Sequence, residues 1–376
     1  MVETAAGSGT DQVFDVVIVG GGPGGYAAAL YGAAAGLSIA MIEKEKVGGT
    51  CLHRGCIPAK EFLETASVYR TVQHAKEFGV QSDQPTIEFS VSLDRKSKIV
   101  DQLYRGLTGL LKGRKVVTVS GTGRLLADHS VEVTDAEGEV TILRGASVIL
   151  AAGSVPRVLP GFEPDGDVIL TSDEVLDLSE LPKSVAVIGG GAIGCEFASM
   201  MADLGSQVIL LEAMPGLLPG CDKDVAAVVV KSFKRRGIDV RTGVPVHGHL
   251  RNDHGTTVTF GEGETVDVDA VIVSVGRRPY SDNLVADGAG VELDERGFVR
   301  VDKWMRTTAD AVYAIGDVVA TPQLAHVGFA EGVLVIKELL EEPAVPVDYG
   351  KVPWGIYCHP EVSFVGMTED AARDAG

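Results

Sequence analysis

Cys51 and Cys56 stand in the run GGTCLHRGCIPAKEF with four residues between them, and three chemistries fit two thiols at that separation. A disulfide over so short a loop stabilises by only about 2 kcal/mol on the chain-entropy estimate, and cytosolic thiols reduce it, so a structural staple is the weaker reading. Zinc is weaker still. The spacing is not C-x-x-C and no second Cys/His pair stands at ligand spacing, so no metal site is expected. The third chemistry is a reversible dithiol/disulfide. It needs one sulfur as thiolate, whereas an ordinary cysteine with a pKa of ~8.5 is only a few per cent ionised at neutral pH. The helix expected to begin near Ile57 and the cation of Lys60 are the sources of positive charge near Cys56, a solvated surface lysine being the other reading of Lys60.

The second set of residues is a repeated glycine pattern. After the buried-strand run Val16 to Val19 come Gly20, Gly22 and Gly25 in G-x-G-x-x-G spacing. An Ala-rich helix follows, then a strand from Ser38 to Ile42 that ends in Glu43, 23 residues after Gly20. The same order recurs as Val185 to Ile188, then Gly189, Gly191 and Gly194, a helix, and a strand ending in Glu212, again 23 residues on. A lone G-x-G-x-x-G is weak, but a preceding strand, a following helix and the later carboxylate are the context of a dinucleotide fold. The first glycine makes the tight turn, the second admits the pyrophosphate and the third lets helix and strand pack. The helix N-terminus then holds the phosphates. Glu43 and Glu212 are placed to accept hydrogen bonds from an adenosine ribose and oppose a 2′-phosphate. With no arginine in 213–218, the second site is expected to prefer NAD to NADP. Two such folds imply two nucleotides, the bland alternative being that one copy is vestigial.

These elements must sit in a chain of 376 residues, more than the roughly 150 of a typical domain, so two or three compact units are expected. The 33 Lys+Arg against 52 Asp+Glu give a net charge of −19, the wrong sign for a nucleic-acid partner. With 45% hydrophobic and 23% charged residues and no apolar run near the ~20 of a membrane span, the composition is that of a soluble globular protein. Its 47 glycines, about one residue in eight, suit tight turns and close approaches to nucleotides. Cysteines at 51, 56, 195, 221 and 358 are too few and scattered for a secreted disulfide framework. The polar N-terminus MVETAAGSGTDQ reads as a frayed tail rather than a signal peptide, so the default location is cytoplasmic. Residues 57–77 and 92–112 are expected to be helical, with strand-like segments over 116–150 ending in VILAAGSVP. A similar series after the second fold ends in VIVSVGRRP, which sets boundaries near Ser154 and Arg277; a further helix is expected from Ala325 to Leu340.

Taken together, GGTCLHRGCIPAK, both glycine-rich folds and YAIGD resemble the pyridine nucleotide–disulfide oxidoreductase family, and within it most closely the branch that oxidises dihydrolipoamide. The match runs over nearly the whole chain from Phe14 onward. The resemblance implies an α/β fold of two Rossmann-like dinucleotide-binding domains with three-layer ββα character, followed by the start of an α+β interface domain. Residues 1–154 and 278–346 would form the FAD-binding domain, 155–277 the NAD-binding domain, and 347–376 the beginning of a dimerisation domain. It implies a Cys51–Cys56 disulfide against the flavin ring, with Cys51 exchanging with the dithiol substrate and Cys56 forming a thiolate–flavin charge-transfer pair. Lys60 would lie near flavin N5 and pair with Glu196, and Asp317 would bind the FAD ribityl chain. Ala325 and His326 would cover the pyrimidine edge, and Gly123 is a looser match to an adenine contact. Thr50, Ile193 and Gly276 complete the expected cofactor contacts. The implied reaction is dihydrolipoamide plus NAD+ to lipoamide plus NADH, in the E3 component of 2-oxoacid dehydrogenase complexes. The implied partners are a lipoyl-bearing acyltransferase and, for full-length relatives, a second copy of the chain.

The family's H-x-H-P-T-x-S-E motif, donated to the partner's active site, is absent. The expectation is therefore a chain truncated at its interface domain and impaired with lipoamide for want of a general base. His359-Pro360 is read as ordinary strand sequence and Cys195 as a small packed residue, while His53 and Arg54 either tune charge or face solvent. Glu212 counts against NADP-dependent glutathione, mercuric and trypanothione-type relatives. The competing readings are an NADH-dependent diaphorase or quinone reductase, and a non-catalytic FAD-binding subunit.

Overall fold

A computed structural model of the chain describes residues 13–376; the polar N-terminal tail lies outside the described residues. The chain divides into two compact units. One contains the residues up to His53, Asp101–Val155 and Arg278–Tyr349; the other contains Arg54–Val100, Pro156–Arg277 and Gly350–Gly376.

In the first unit the strand Val13–Val19 lies between Ile39–Glu43 and Val140–Leu150, parallel to both. Val117–Ser120 extends one side, and Val312–Ala314 pairs parallel with Val140–Leu150. Successive side chains on a strand point to opposite faces, so these apolar runs feed two cores. Val16, Ile18, Ile39, Met41 and Ile149 meet Ala28 and Ala29 of the helix Pro23–Ala34 and Leu334 and Val335 of the helix Ala325–Leu339. Val17, Val19, Ala40, Ile42, Val148 and Leu150 meet Leu125, Val131 and Val133 on the other side. Those three residues belong to an antiparallel meander, Thr122–Leu125 and Val131–Thr134. Its last strand is the first part of Val140–Leu150, which pairs antiparallel there and parallel further on, so one strand serves both layers.

The second unit repeats the plan. Asp239–Thr242, Gln207–Glu212, Ser184–Ile188, Ala270–Val273 and Ile169–Leu170 form a parallel sheet in that order. Val185, Val187, Leu210 and Ile272 pack on Phe197, Met200 and Met201 of the helix Ala192–Asp203. Ala186, Ile188, Ile209 and Leu211 pack on Val258, Phe260 and Val268 of the meander Val246–Asn252, Gly255–Phe260 and Glu264–Val268. Both units thus have the three-layer Rossmann-like form.

Residues 54–100 depart from the expected layout, which kept them with the first fold. The helix Cys56–Gln73 buries Ala59, Phe62 and Ala66 in the same core as Phe197 and Ala198, and Phe62 stacks on Phe89. An amphipathic period shows that a helix has a buried face but not which sheet will receive it. The hairpin Trp354–Ile356 and Val362–Phe364 joins that core through Ile356, Cys358 and Val362. His359, expected in a strand, lies in the hairpin's connection and precedes a cis proline. Among the described residues no helix is long and apolar enough to cross a membrane.

Candidate functional site

The two glycine turns are built alike. Gly20 has φ +111° and Gly189 φ +109°, a region that penalises any side chain. A Cβ on Gly25 would stand 1.9 Å from the Gly20 carbonyl oxygen, and one on Gly194 would stand 1.9 Å from that of Gly189, so only glycine lets each helix close on its strand. By contrast, a Cβ on Gly22 would find nothing nearer than 3.9 Å and one on Gly191 nothing within 4 Å. That is the open face a pyrophosphate needs. The helices Pro23–Ala34 and Ala192–Asp203 have no side-chain cap among the described residues, leaving their N-terminal amides and positive ends directed at the turn.

Each carboxylate at the end of the second strand is held in the same manner. Glu43 accepts from Gly21 N at 2.8 Å and from Glu45 N at 3.0 Å; Glu212 accepts from Gly190 N at 2.5 Å and Met214 N at 2.6 Å. Each oxygen keeps a lone pair for a ribose hydroxyl. Burial raises the pKa of Glu43, and the Gly21 N–H works against that rise.

In the first unit Asp317 accepts from Ser154 Oγ at 2.6 Å on a short turn, Gly316–Val318. Beneath it lies Glu331, fully buried, accepting from Gly316 N at 2.6 Å and Tyr349 Oη at 2.9 Å. Sequence reading missed Glu331, although a carboxylate four residues after buried Val327 on an apolar helix face was a signal. Nearby in sequence, Gln323 Nε2 is buried without a hydrogen-bond partner among the described residues, two positions before Ala325, the first residue of its helix. An orphaned donor of this kind fits a polar ligand that would satisfy it. Thr50 is exposed on the short helix Gly49–His53 with Cys51. Gly123 has a packing reason for its size, since a Cβ there would come 2.9 Å from Val19. His53 donates from Nε2 to the Val47 carbonyl at 2.9 Å, which fixes its tautomer, and its ring meets Tyr104 edge-on.

In the second unit Cys56 is the first residue of the helix Cys56–Gln73, where the dipole favours a thiolate, and Lys60 follows one turn later on the same face. Lys60 Nζ donates to both oxygens of Glu196 at 3.0 Å. Glu196 is buried, 7% exposed, and also accepts from Tyr357 N at 2.9 Å. Lys60 is therefore paired rather than simply solvated. Tyr357 was also missed, and no sequence spacing connects it to Lys60. Arg54 lies 3.8 Å from Asp173. Ile193 is partly buried against the core beside its helix, and Gly276 has φ +105° in open space.

The profile of the pyridine nucleotide-disulphide oxidoreductases matches residues 14–332. The chain belongs to that family. The oxidoreductase is 39% identical over 370 residues to a dihydrolipoyl dehydrogenase of Chlamydia muridarum, covering 97% of this chain and 78% of that one. A dihydrolipoyl dehydrogenase of Bacillus subtilis is 37% identical, with 96% and 77% covered. Among solved structures, LpdA of Mycobacterium tuberculosis superposes with a TM-score of 0.91 at 28% identity, covering 96% of this chain and 80% of that one. The HOCl-induced flavoprotein disulfide reductase RclA of Escherichia coli, as a Cu(II) complex, gives 0.87 at 31%, with 97% and 80% covered. The oxidoreductase is accordingly a flavoprotein of the disulfide-reductase fold, and its cofactors are FAD and NAD(H). These relatives do not favour the quinone-reductase and non-catalytic readings.

Two buried cysteines of the second unit, Cys195 and Cys358, do not extend the site. Burial pushes the Cys195 thiol well above its ordinary range, and burial aided by Glu196 pushes Cys358 up to about 12. Both stay protonated near neutrality and pack as small apolar groups. Burial and three arginines, Arg70, Arg236 and Arg235, lower the pKa of His359; its backbone is what is engaged, N–H to Ser199 Oγ at 2.9 Å and carbonyl from Arg236 Nη1 at 2.7 Å. No group of ligating side chains suited to a metal occurs among the described residues.

Proposed function

We propose that this oxidoreductase is a cytoplasmic dihydrolipoyl dehydrogenase. It oxidises dihydrolipoamide to lipoamide with NAD+ through a Cys51–Cys56 redox disulfide and FAD, as the E3 component of a 2-oxoacid dehydrogenase complex. The names of its relatives support a dihydrolipoyl dithiol as the substrate; a lipoyl group carried on an acyltransferase and a homodimer as the working form are what the family resemblance adds. The observation that carries the reading is the Lys60–Glu196 pair one helical turn from Cys56.

FAD, when bound, supplies the two-electron relay between sulfur and nicotinamide. The chain's own residues do the rest. One substrate thiolate attacks Cys51, breaking the Cys51–Cys56 bond and releasing Cys56 as thiolate; the second substrate thiolate then displaces Cys51 from the mixed disulfide, so that lipoamide leaves as disulfide and the cysteine pair is left as dithiol. Two electrons and two protons leave the substrate; NAD+ accepts both electrons with one proton as hydride, and one proton is released. The helix start at Cys56 and the charge of Lys60 hold Cys56 as thiolate. Gly20, Gly22, Gly25 and Glu43 would hold the adenylate of FAD, with Asp317, Thr50, Lys60, Gly123 and Ala325 along its remainder. Gly189, Gly191, Ile193, Gly194, Glu212 and Gly276 would hold NAD.

Anaerobic addition of NADH is expected to raise a long-wavelength absorption band that disappears in Cys56→Ser. Flavin bleaching without that band in the unaltered protein would overturn the role of the cysteine pair.

A further inference from the structure

The ring of Tyr357 stands over the ammonium of Lys60, with Nζ 4.7 Å from the ring centroid, and the backbone N–H of Tyr357 holds Glu196. One residue thus touches both members of the pair beside Cys56. We propose that Tyr357 is a positioning residue for Lys60, fixing its charge one helical turn from Cys56 through a cation–π contact. The inference rests on the redox reading of Cys56.

A half-exposed lysine on a flexible stem gains little from one ion pair, because ordering the side chain offsets most of the attraction. The ring adds a second attractive direction, so Nζ is held between a carboxylate and the negative face of an aromatic ring. Tyr357 is itself kept in place. Its neighbours Ile356 and Cys358 are buried in the core while Tyr357 is 48% exposed, the alternation that sends its ring outward. Two residues on, the backbone of His359 is fastened to Ser199 and Arg236, and Arg236 pairs with Asp203. Ser199, Asp203 and Glu196 all lie on the helix Ala192–Asp203, so the anchor of the ring and the anchor of the lysine are one rigid element. Of the other charges close to Lys60 in the chain, Glu61 pairs with Arg95 and Arg54 lies by Asp173, while Glu64, one turn further along the helix, is exposed.

The test is the alkylation of Cys56 by iodoacetamide in the NADH-reduced holoenzyme, followed by peptide mass spectrometry at pH 6.5 and at pH 9.5. Tyr357→Leu keeps the backbone N–H and removes the ring. Cys56 is then expected to react roughly threefold more slowly at pH 6.5, with the difference closing at pH 9.5 where the thiolate no longer needs help. Tyr357→Phe keeps the ring and should retain the wild-type rate. Phenylalanines of increasing fluorination at 357, which weaken the ring face at nearly constant size and spare the fold, should slow the reaction in graded steps. Coincident rates for Tyr357→Leu and wild type at pH 6.5, a flat fluorination series, or equal slowing in Tyr357→Phe would overturn the proposal. Absence of the long-wavelength band in the NADH-reduced wild type would instead remove the redox reading of that cysteine, and the proposal with it.

Discussion

A buried carboxylate held by neutral donors is a costly arrangement, and Glu331 is one, accepting from Gly316 N–H and Tyr349 O–H beneath the Asp317 turn. Burial raises its pKa, and the charge of Asp317 adds to the rise. The folded protein therefore binds this proton more tightly than the unfolded chain. The stabilising effect of that proton is complete below the ordinary carboxylate value and is lost as pH rises through the folded value. Glu331→Gln keeps an acceptor for Gly316 and offers an amide donor to the Tyr349 oxygen without carrying charge. Its stability relative to wild type should thus improve as pH rises from 4.5 toward 8, levelling off once the folded value is passed, as read from denaturant midpoints. A difference independent of pH would show that Glu331 does not titrate in that window. Glu331→Leu leaves the Gly316 donor buried and unpaired, and should cost about 1–3 kcal/mol.

At the scale of elements, the duplicated cradle separates two roles that glycine plays within one turn. Gly191 has φ −74° and open space around it, so Gly191→Ala should fold with stability within about 0.5 kcal/mol of wild type. Its methyl would occupy the phosphate approach, so NADH binding should fall at least tenfold in equilibrium titration. Gly194→Ala puts a methyl 1.9 Å from the Gly189 carbonyl and 2.6 Å from Ser274 Oγ, and should lose about 1–3 kcal/mol of stability as well as NADH binding. Equal nucleotide affinity in Gly191→Ala and wild type would remove pyrophosphate from that turn. These cradles were legible in sequence because strand, turn, helix and acidic residue are contiguous, and local spacing implies local geometry. The pairing of Lys60 with Glu196 came from resemblance, and the third member of that cluster, Tyr357, lies 161 residues beyond Glu196, a contact made only by folding. The grouping of residues 54–100 with the second unit is hidden from the sequence for the same reason: Phe62 announces an apolar helix face, but its partners Phe197 and Met201 come from a helix far along the chain.

For the whole molecule, the decisive property is that each unit has its own two-faced sheet and its own pair of cores, although each is assembled from three separate stretches of chain. Binding energy delivered to one cradle should therefore stabilise mainly the unit that contains it. If the second cradle takes NAD(H), NADH at a hundredfold excess over its dissociation constant adds about 2.7 kcal/mol to that unit. Amides that exchange through opening of that unit should then slow by about a hundredfold. Hydrogen-exchange mass spectrometry of the FAD-loaded protein is expected to show this protection in 184–212 and 270–273, with 13–43 little changed. Removing FAD should do the reverse, loosening 13–43 and 140–150 first. Protection by NADH concentrated in 13–43 would exchange the nucleotide assignments of the two units. Equal protection everywhere would show instead that the units open as one, and that the separate cores do not set separate stabilities.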